Sequence, residues 1–426
     1  MVATLAGTVT KLATARTAAG SYGRTIGRWW TKLPEPTLQS QFSQSPRYTL
    51  LFLMPSKSSL DLRRQVGQLL IMGFDGIDLS SRLRTMLATL CPSGIILFKR
   101  NIREPEQTHA LLRDAQKAAS TPLFLCVDME GGTVDRLRDV VAPVPSVAEV
   151  AAAGSRKLFY KFGQLIGGEV RALGFNTDFA PVLDLQFEAS KSVLNSRTIS
   201  SNPNEAVAYA REFLRGLRNA NVIGSGKHFP GLGEANLDSH NELPSIDKPW
   251  HRLWSEDLFP YRQLRRQLPF VMVAHAAYPG VTSDRTPASL SKKWISDILR
   301  RKIGYRGLVI TDDLDMGGVL AAAPIEDAAV ETLRAGADMS LVCQKEESLW
   351  RAFEAVYKQA ESDKKFARLV AGKSHRVLAA KGTSRALKAR MSPAPSQKVV
   401  DRLRRRLWEF SEEVRAHKLS FEGAQR

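Results

Sequence analysis

Eight short, continuously apolar runs, spaced along the chain, constrain its fold more than any other feature. They are LLIMGF (69–74), GIILF (94–98), LFLCVD (123–128), FAPVLDL (179–185), VIGSGKHF (222–229), VMVAHA (271–276), LVITDD (308–313) and DMSLVC (338–343). None shows the apolar–polar alternation of a strand with one wet face, so each reads as a strand buried on both faces. Between them lie amphipathic stretches such as 103–118, 154–173, 204–220 and 291–303. Strands alternating with helices in this way predict a (β/α)8 barrel of the TIM type, with an open doubly wound sheet as the second choice.

The length of 426 residues suits one such barrel, spanning 55–381, with an extension at each end. Residues 1–54 are rich in Thr, Ala, Ser and Arg. They are expected to lie outside the folded domain, as a disordered extension or as residues upstream of a true start at Met54. After Lys381 comes a basic linker containing MSPAPS (391–396), followed by VVDRLRRRLWEFSEEVRAHK (399–418). There Val400, Leu403, Leu407, Phe410 and Val414 recur at helical spacing, so one helix face is free to pack on the barrel or on a partner.

The net charge of +18 raises the question of nucleic acid, and its distribution answers it. Residues 1–54 carry +5 and 382–426 carry +6, leaving +7 for the long central segment. No stacked aromatics or helix-turn-helix pattern accompanies the charge, so the basic ends read as solvated surface and no nucleic acid is expected. No apolar run is long enough to span a bilayer. The three cysteines, Cys91, Cys126 and Cys343, have neither disulfide-framework nor metal-site spacing. A cytoplasmic location and no cofactor are expected; the oligomeric state is left open.

Chemistry concentrates where the apolar runs end: Asp128, Asp184, Lys227–His228, His275 and Asp312–Asp313. A barrel brings all carboxyl-terminal strand ends to one face, where they meet a single substrate. The loop string GKHFPGLGEANLDSHNELP (226–244) places Asp238 two residues before His240. A carboxylate beside an imidazole fixes its tautomer and raises its pKa, which suits proton transfer near neutrality. In GLVITDDLDMGG (307–318), Asp312 directly follows a buried strand, where a carboxylate can act as a nucleophile. Asp313 is expected to face away, as the N-cap of a helix beginning near Leu314. In VDMEGGTVDRLRD (127–139), Asp128 and Arg136 flank a Gly-Gly turn that lacks phosphate-loop spacing.

Together D-x-E-G-G…R, K-H-F-P-G-x-G…D-S-H and the T-D-D-L-x-M strand end resemble the β-N-acetylhexosaminidases of glycoside hydrolase family 3, the NagZ type. FKRN (98–101), APVLDL (180–185), NSRT (195–198), AHAAYP (274–279) and AGADMSLVC (335–343) fall in the matching order, and the resemblance covers roughly 60–381. It implies Asp312 as nucleophile, His240 as acid/base and Asp238 as the carboxylate assisting that histidine. It further implies that Asp128, Arg136, Arg197, Lys227 and His228 bind a terminal N-acetylglucosamine. The expected activity is retaining hydrolysis of β-N-acetylglucosaminides, with muropeptide fragments as the small carbohydrate substrate. A β-glucosidase, a phosphorylase on the same barrel and a catalytically silent sugar binder are the rival readings. Two positions depart from the family pattern: Leu232 stands where a histidine is usual, and Thr133 where an arginine is common.

Overall fold

The computed structural model describes residues 57–239 and 241–425. The segment 1–54 and His240 lie outside the described residues, and with them the expectations placed there. Eight strands close into a barrel: β1 (Leu70–Met72), β2 (Gly94–Ile96), β3 (Phe124–Val127), β4 (Thr177–Asp178), β5 (Ile223–Phe229), β6 (Phe270–Val273), β7 (Leu308–Asp313) and β8 (Met339–Val342). Each strand pairs in parallel with its sequence neighbours, and β1 closes the ring against β8. The doubly wound alternative is thereby excluded. A short antiparallel hairpin, Met129–Gly131 with Val134–Asp135, stands on the rim after β3.

The fourth strand departs from the sequence expectation. Its ladder covers Thr177–Asp178, just before the apolar run 179–185. Pro181 has no N–H to contribute where the ladder would continue. The segment instead follows β5 through scattered backbone bonds, Ser225 N–H to the Ala180 carbonyl and Lys227 N–H to the Pro181 carbonyl. This irregular stretch delivers Asp184 to the barrel mouth.

Two apolar layers hold the structure together. Inside the barrel Ile71, Ile96, Phe124, Phe179, Phe270, Met272, Ile310 and Leu341 fill the lumen. Burying each large side chain contributes about 1.5–3 kcal/mol. Outside, helices pack around the strands. In α1 (Arg156–Ala172) and α2 (Pro203–Asn219) apolar residues at helical spacing give each helix one buried face. The two helices approach at glycines: a Cβ on Gly163 would lie 2.3 Å from the Phe213 carbonyl oxygen.

Below the barrel, α3 (Lys364–Thr383) and the turn after it bring Val377 and Ala386 against the lumen residues, closing that end. The helix α4 (Gln397–Gln425) lays Leu403, Leu407, Phe410 and Val414 on α1, with Phe410 stacked 5.8 Å from Phe162. Arg404 fixes its near end by donating to the Val140 and Val141 carbonyls. Among the described residues no helix is long and apolar enough to cross a membrane.

Candidate active site

The carboxyl-terminal strand ends surround a pocket of about 280 Å³. Seven of the eight sequence-predicted site residues line it: Asp128, Arg136, Arg197, Lys227, His228, Asp238 and Asp312. The eighth, His240, is outside the described residues. Their convergence follows from the topology, because β3, β5 and β7 run parallel in one closed barrel and end on the same face.

At the centre is an ionic cluster that sequence reasoning found only in part. Lys227, buried on β5, lies 2.8 Å from Asp128 and 2.6 Å from Glu130. Glu130 on the rim hairpin also accepts from Arg197 Nε at 2.7 Å and Nη2 at 2.9 Å. Burial alone would raise the Glu130 carboxyl, but the Arg197 guanidinium and Lys227 ammonium outweigh it and hold it well below the usual carboxylate range. Burial likewise opposes the charge on Lys227, and Asp128 and Glu130 reverse the effect. Glu130, Lys227 and Arg197 therefore stay ionised at neutral pH. The partners of Glu130 lie 67 and 97 residues away, so its place two residues after Asp128 is the one local signal of this role.

His228, next along β5, is held by Asp184. Its Nδ1 lies 2.7 Å from Asp184 Oδ2, and its backbone N–H also reaches that carboxylate. Asp184 Oδ1 accepts the Leu232 N–H at 2.7 Å as well, so one buried carboxylate orients both the imidazole and the start of the following loop. The His228 Nε2 faces Arg197 and the pocket, 3.5 Å from Nη2. Arg136 differs from the other cations. Its buried Nε has no hydrogen-bond partner among the described residues, and its guanidinium sits 5.8 Å from the Phe98 ring.

Two adjacent carboxylates end β7 in different environments. Asp312 is half-buried at the pocket wall and accepts the Asp313 N–H at 2.9 Å. Asp313 does not cap a helix: the next helix starts at Gly317, and Leu314 is buried in the core. Nor does it turn away from the mouth; it lines the pocket. Its carboxylate accepts the Asp315 and Cys343 N–H groups, tying β7 to β8. The buried imidazole of His275 is structural too, reaching the Asp313 carbonyl at 3.0 Å and Ser289 at 2.7 Å.

Burial, with the Asp315 and Asp312 carboxylates nearby, pushes the Asp313 carboxyl up to about 7. A neutral Asp313 keeps a second negative charge away from Asp312, so the two neighbours are suited to different tasks. Because the folded pKa is raised, the stability it contributes is complete below the unfolded value near 3.8 and lost as pH rises through about 7. Melting curves between about pH 5 and about pH 8 should fall toward the alkaline end, and Asp313→Asn should flatten that slope. An unchanged slope in the variant would assign it to other groups.

The loop after β5 carries Asp238 and is fastened at both sides. Glu234 meets Lys248 at 3.2 Å and Arg252 at 3.0 Å, while Lys248 is also 2.6 Å from Glu256 and Asp257. On the other side the Ser239 carbonyl accepts the Gly318 N–H at 3.0 Å. A Cβ at Gly318 would stand 2.8 Å from both the Ser239 and Glu242 carbonyl oxygens. This contact couples the Asp238 loop to the segment after Asp312. Gly318→Ala should therefore push the loop outward and lower kcat by about tenfold to 100-fold with little change in folding. Unaltered kcat would show that the loop position does not govern turnover.

Residues 61–380 match the family model described as the glycosyl hydrolase family 3 N terminal domain. A curated β-hexosaminidase of Alkalilimnicola ehrlichii is 39% identical over 287 residues, covering 66% of this chain and 82% of that protein. That of Idiomarina loihiensis is 36% identical over 278 residues, covering 64% and 83%. Among solved structures, a glycoside hydrolase family 3 β-N-acetylglucosaminidase from Paenibacillus sp. str. FPU-7 superposes with a TM-score of 0.77 at 34% identity. The match covers 83% of this chain and 68% of that one.

Proposed function

Because this chain belongs to glycosyl hydrolase family 3, we propose that it removes terminal β-linked N-acetylglucosamine with retention of configuration. The observation that carries the reading is the convergence of Asp312, Asp238 and the Asp128–Lys227–Glu130–Arg197 cluster on one small pocket. A single sugar ring held there would find charged hydrogen-bonding groups on one side and a carboxylate at its anomeric carbon. The unpaired Nε of Arg136 supplies a further donor for a hydroxyl or the N-acetyl carbonyl.

In the first step His240 gives a proton to the glycosidic oxygen as Asp312 attacks the anomeric carbon. The bond to the leaving group breaks and a covalent glycosyl-enzyme forms. Water then gives a proton to His240 and displaces Asp312, releasing the β-anomer of the sugar. Asp238 keeps His240 protonated before the first step and stabilises its charge in the second. Asp128, Lys227, His228, Arg136 and Arg197 hold the N-acetylglucosamine unit.

The natural substrate we assign is a muropeptide fragment in the cytoplasm. The resemblance to the β-N-acetylhexosaminidases of the family supports the substrate class. Three buried cysteines, all present as free thiols, are compatible with a reducing compartment.

The test compares an aryl β-N-acetylglucosaminide with the matching β-glucoside, each with and without phosphate. Phosphate-independent release of free N-acetylglucosamine, with the glucoside cleaved at least about 100-fold more slowly, is expected. Preference for the glucoside would favour a β-glucosidase, and a sugar 1-phosphate product would identify a phosphorylase.

A further inference from the structure

Lys248 is only 1% exposed, although lysine is seldom found inside a protein. Its ammonium meets three carboxylates: Glu234 at 3.2 Å, Glu256 at 2.6 Å and Asp257 at 2.6 Å. It also lies 4.3 Å from the centre of the Phe187 ring. Burial opposes the charge, and the carboxylates, Asp257 foremost, outweigh it, so Lys248 stays an ammonium. A buried charge cluster is a poor way to stabilise a fold, since apolar side chains of similar volume do as well. What the ammonium adds here is a link between two parts of the chain.

Glu256 and Asp257 sit at the joint between the helices Trp250–Ser255 and Leu258–Leu264, part of the framework that follows Lys248. Glu234 instead belongs to the loop leaving β5, and Asp238 follows it by four positions. The root of that loop is fixed. Asp184 holds the Leu232 N–H, and the Gly231 carbonyl accepts from the Tyr278 hydroxyl at 2.7 Å. Gly231, at φ 140°, passes so close to Asp257 that a Cβ there would lie 2.7 Å from the Asp257 Cβ. Past this root, Glu234 ties the loop to the helices through Lys248 and the partly exposed Arg252. Without the Lys248 charge, three carboxylates would face one another with Arg252 left to balance them. Asp257 is buried and Glu256 stands on the helical framework, so Glu234 is the one to swing outward, carrying Asp238 with it.

We infer that Lys248 is a positioning residue for proton transfer: through Glu234 it sets where Asp238 stands at the sugar pocket. This rests on the hydrolase reading above, in which the Asp238 loop serves protonation of the departing oxygen. Lys248 does not line the sugar pocket, so it governs delivery of the proton and not the grip on the N-acetylglucosamine ring. A poor leaving group depends on that proton, whereas an activated aryl group departs with little help.

The test measures kcat/KM, which reports the first chemical step, for Lys248→Met and Glu234→Ala in the full chain. The substrates are phenyl and dinitrophenyl β-N-acetylglucosaminide, a poor and a good leaving group on the same sugar. Each variant should lose at least about tenfold on the phenyl glycoside and less than about threefold on the dinitrophenyl glycoside. Affinity for free N-acetylglucosamine should stay within about twofold of native. Because both substitutions break one link, the double variant should be within about twofold of Glu234→Ala alone on the phenyl glycoside. Glu234→Ala leaves Lys248 paired with Glu256 and Asp257, so it keeps the fold and decides the matter if Lys248→Met unfolds. A smaller loss on the phenyl glycoside, or equal losses on both substrates, would overturn the inference while leaving the hydrolase reading intact. A native chain that cleaves neither glycoside would overturn the hydrolase reading and this inference with it.

Discussion

Asp312→Asn is expected to fold as the native chain does, bind N-acetylglucosamine and lose turnover by on the order of 10⁴-fold or more. The amide keeps the size of the carboxylate and its contact with the Asp313 N–H, so little structure is at stake. What disappears is the only group proposed to bond with the anomeric carbon. A variant retaining even a tenth of native kcat would move the nucleophile elsewhere, with Asp313 the neighbouring candidate.

The second large effect belongs to Glu130. Its carboxylate is shared by Arg197 and Lys227, and both lie within the buried wall of the pocket. Removing it leaves two cations facing each other in a poorly solvated site, and breaking a buried pair in this way costs about 3–5 kcal/mol. Glu130→Ala should lower the melting temperature markedly. Because Arg197 and Lys227 would separate, kcat/KM on N-acetylglucosaminides should fall by on the order of 100-fold as well. Glu130→Gln preserves the shape and one acceptor, so it should recover much of the stability but less of the activity. Equal recovery of both would make the role of Glu130 purely structural.

These two residues also show what the sequence made legible. Asp312 was visible because a local pattern sufficed: a buried strand, then a polar residue at its carboxyl end, on a fold that aims all such ends at one mouth. The same logic located Asp128, Lys227 and His228. Glu130 depends on partners brought together from β5 and from the turn at Asn195–Arg197, and no local periodicity records that meeting. Asp184 stands at the mouth, as its place near the end of an apolar run predicts, but its partners, the His228 imidazole and the Leu232 N–H, lie 44 and 48 residues further on. Asp313 was misplaced because an aspartate before a helical stretch has two local uses. The structure chose the turn and the β8 contact over the cap. Leu232, in the position where the family pattern has histidine, is buried and held through its N–H by Asp184, so the loop start is fixed by backbone rather than by an imidazole.

Hydrolysis with retention requires a covalent sugar–enzyme bond, here at Asp312. The most direct measurement is mass-spectrometric mapping of the peptide labelled by a mechanism-based fluorinated N-acetylglucosaminide. A single adduct on Asp312 is the predicted result. A label on Asp313, Asp184 or Asp238, or turnover without any trapped adduct, would contradict it.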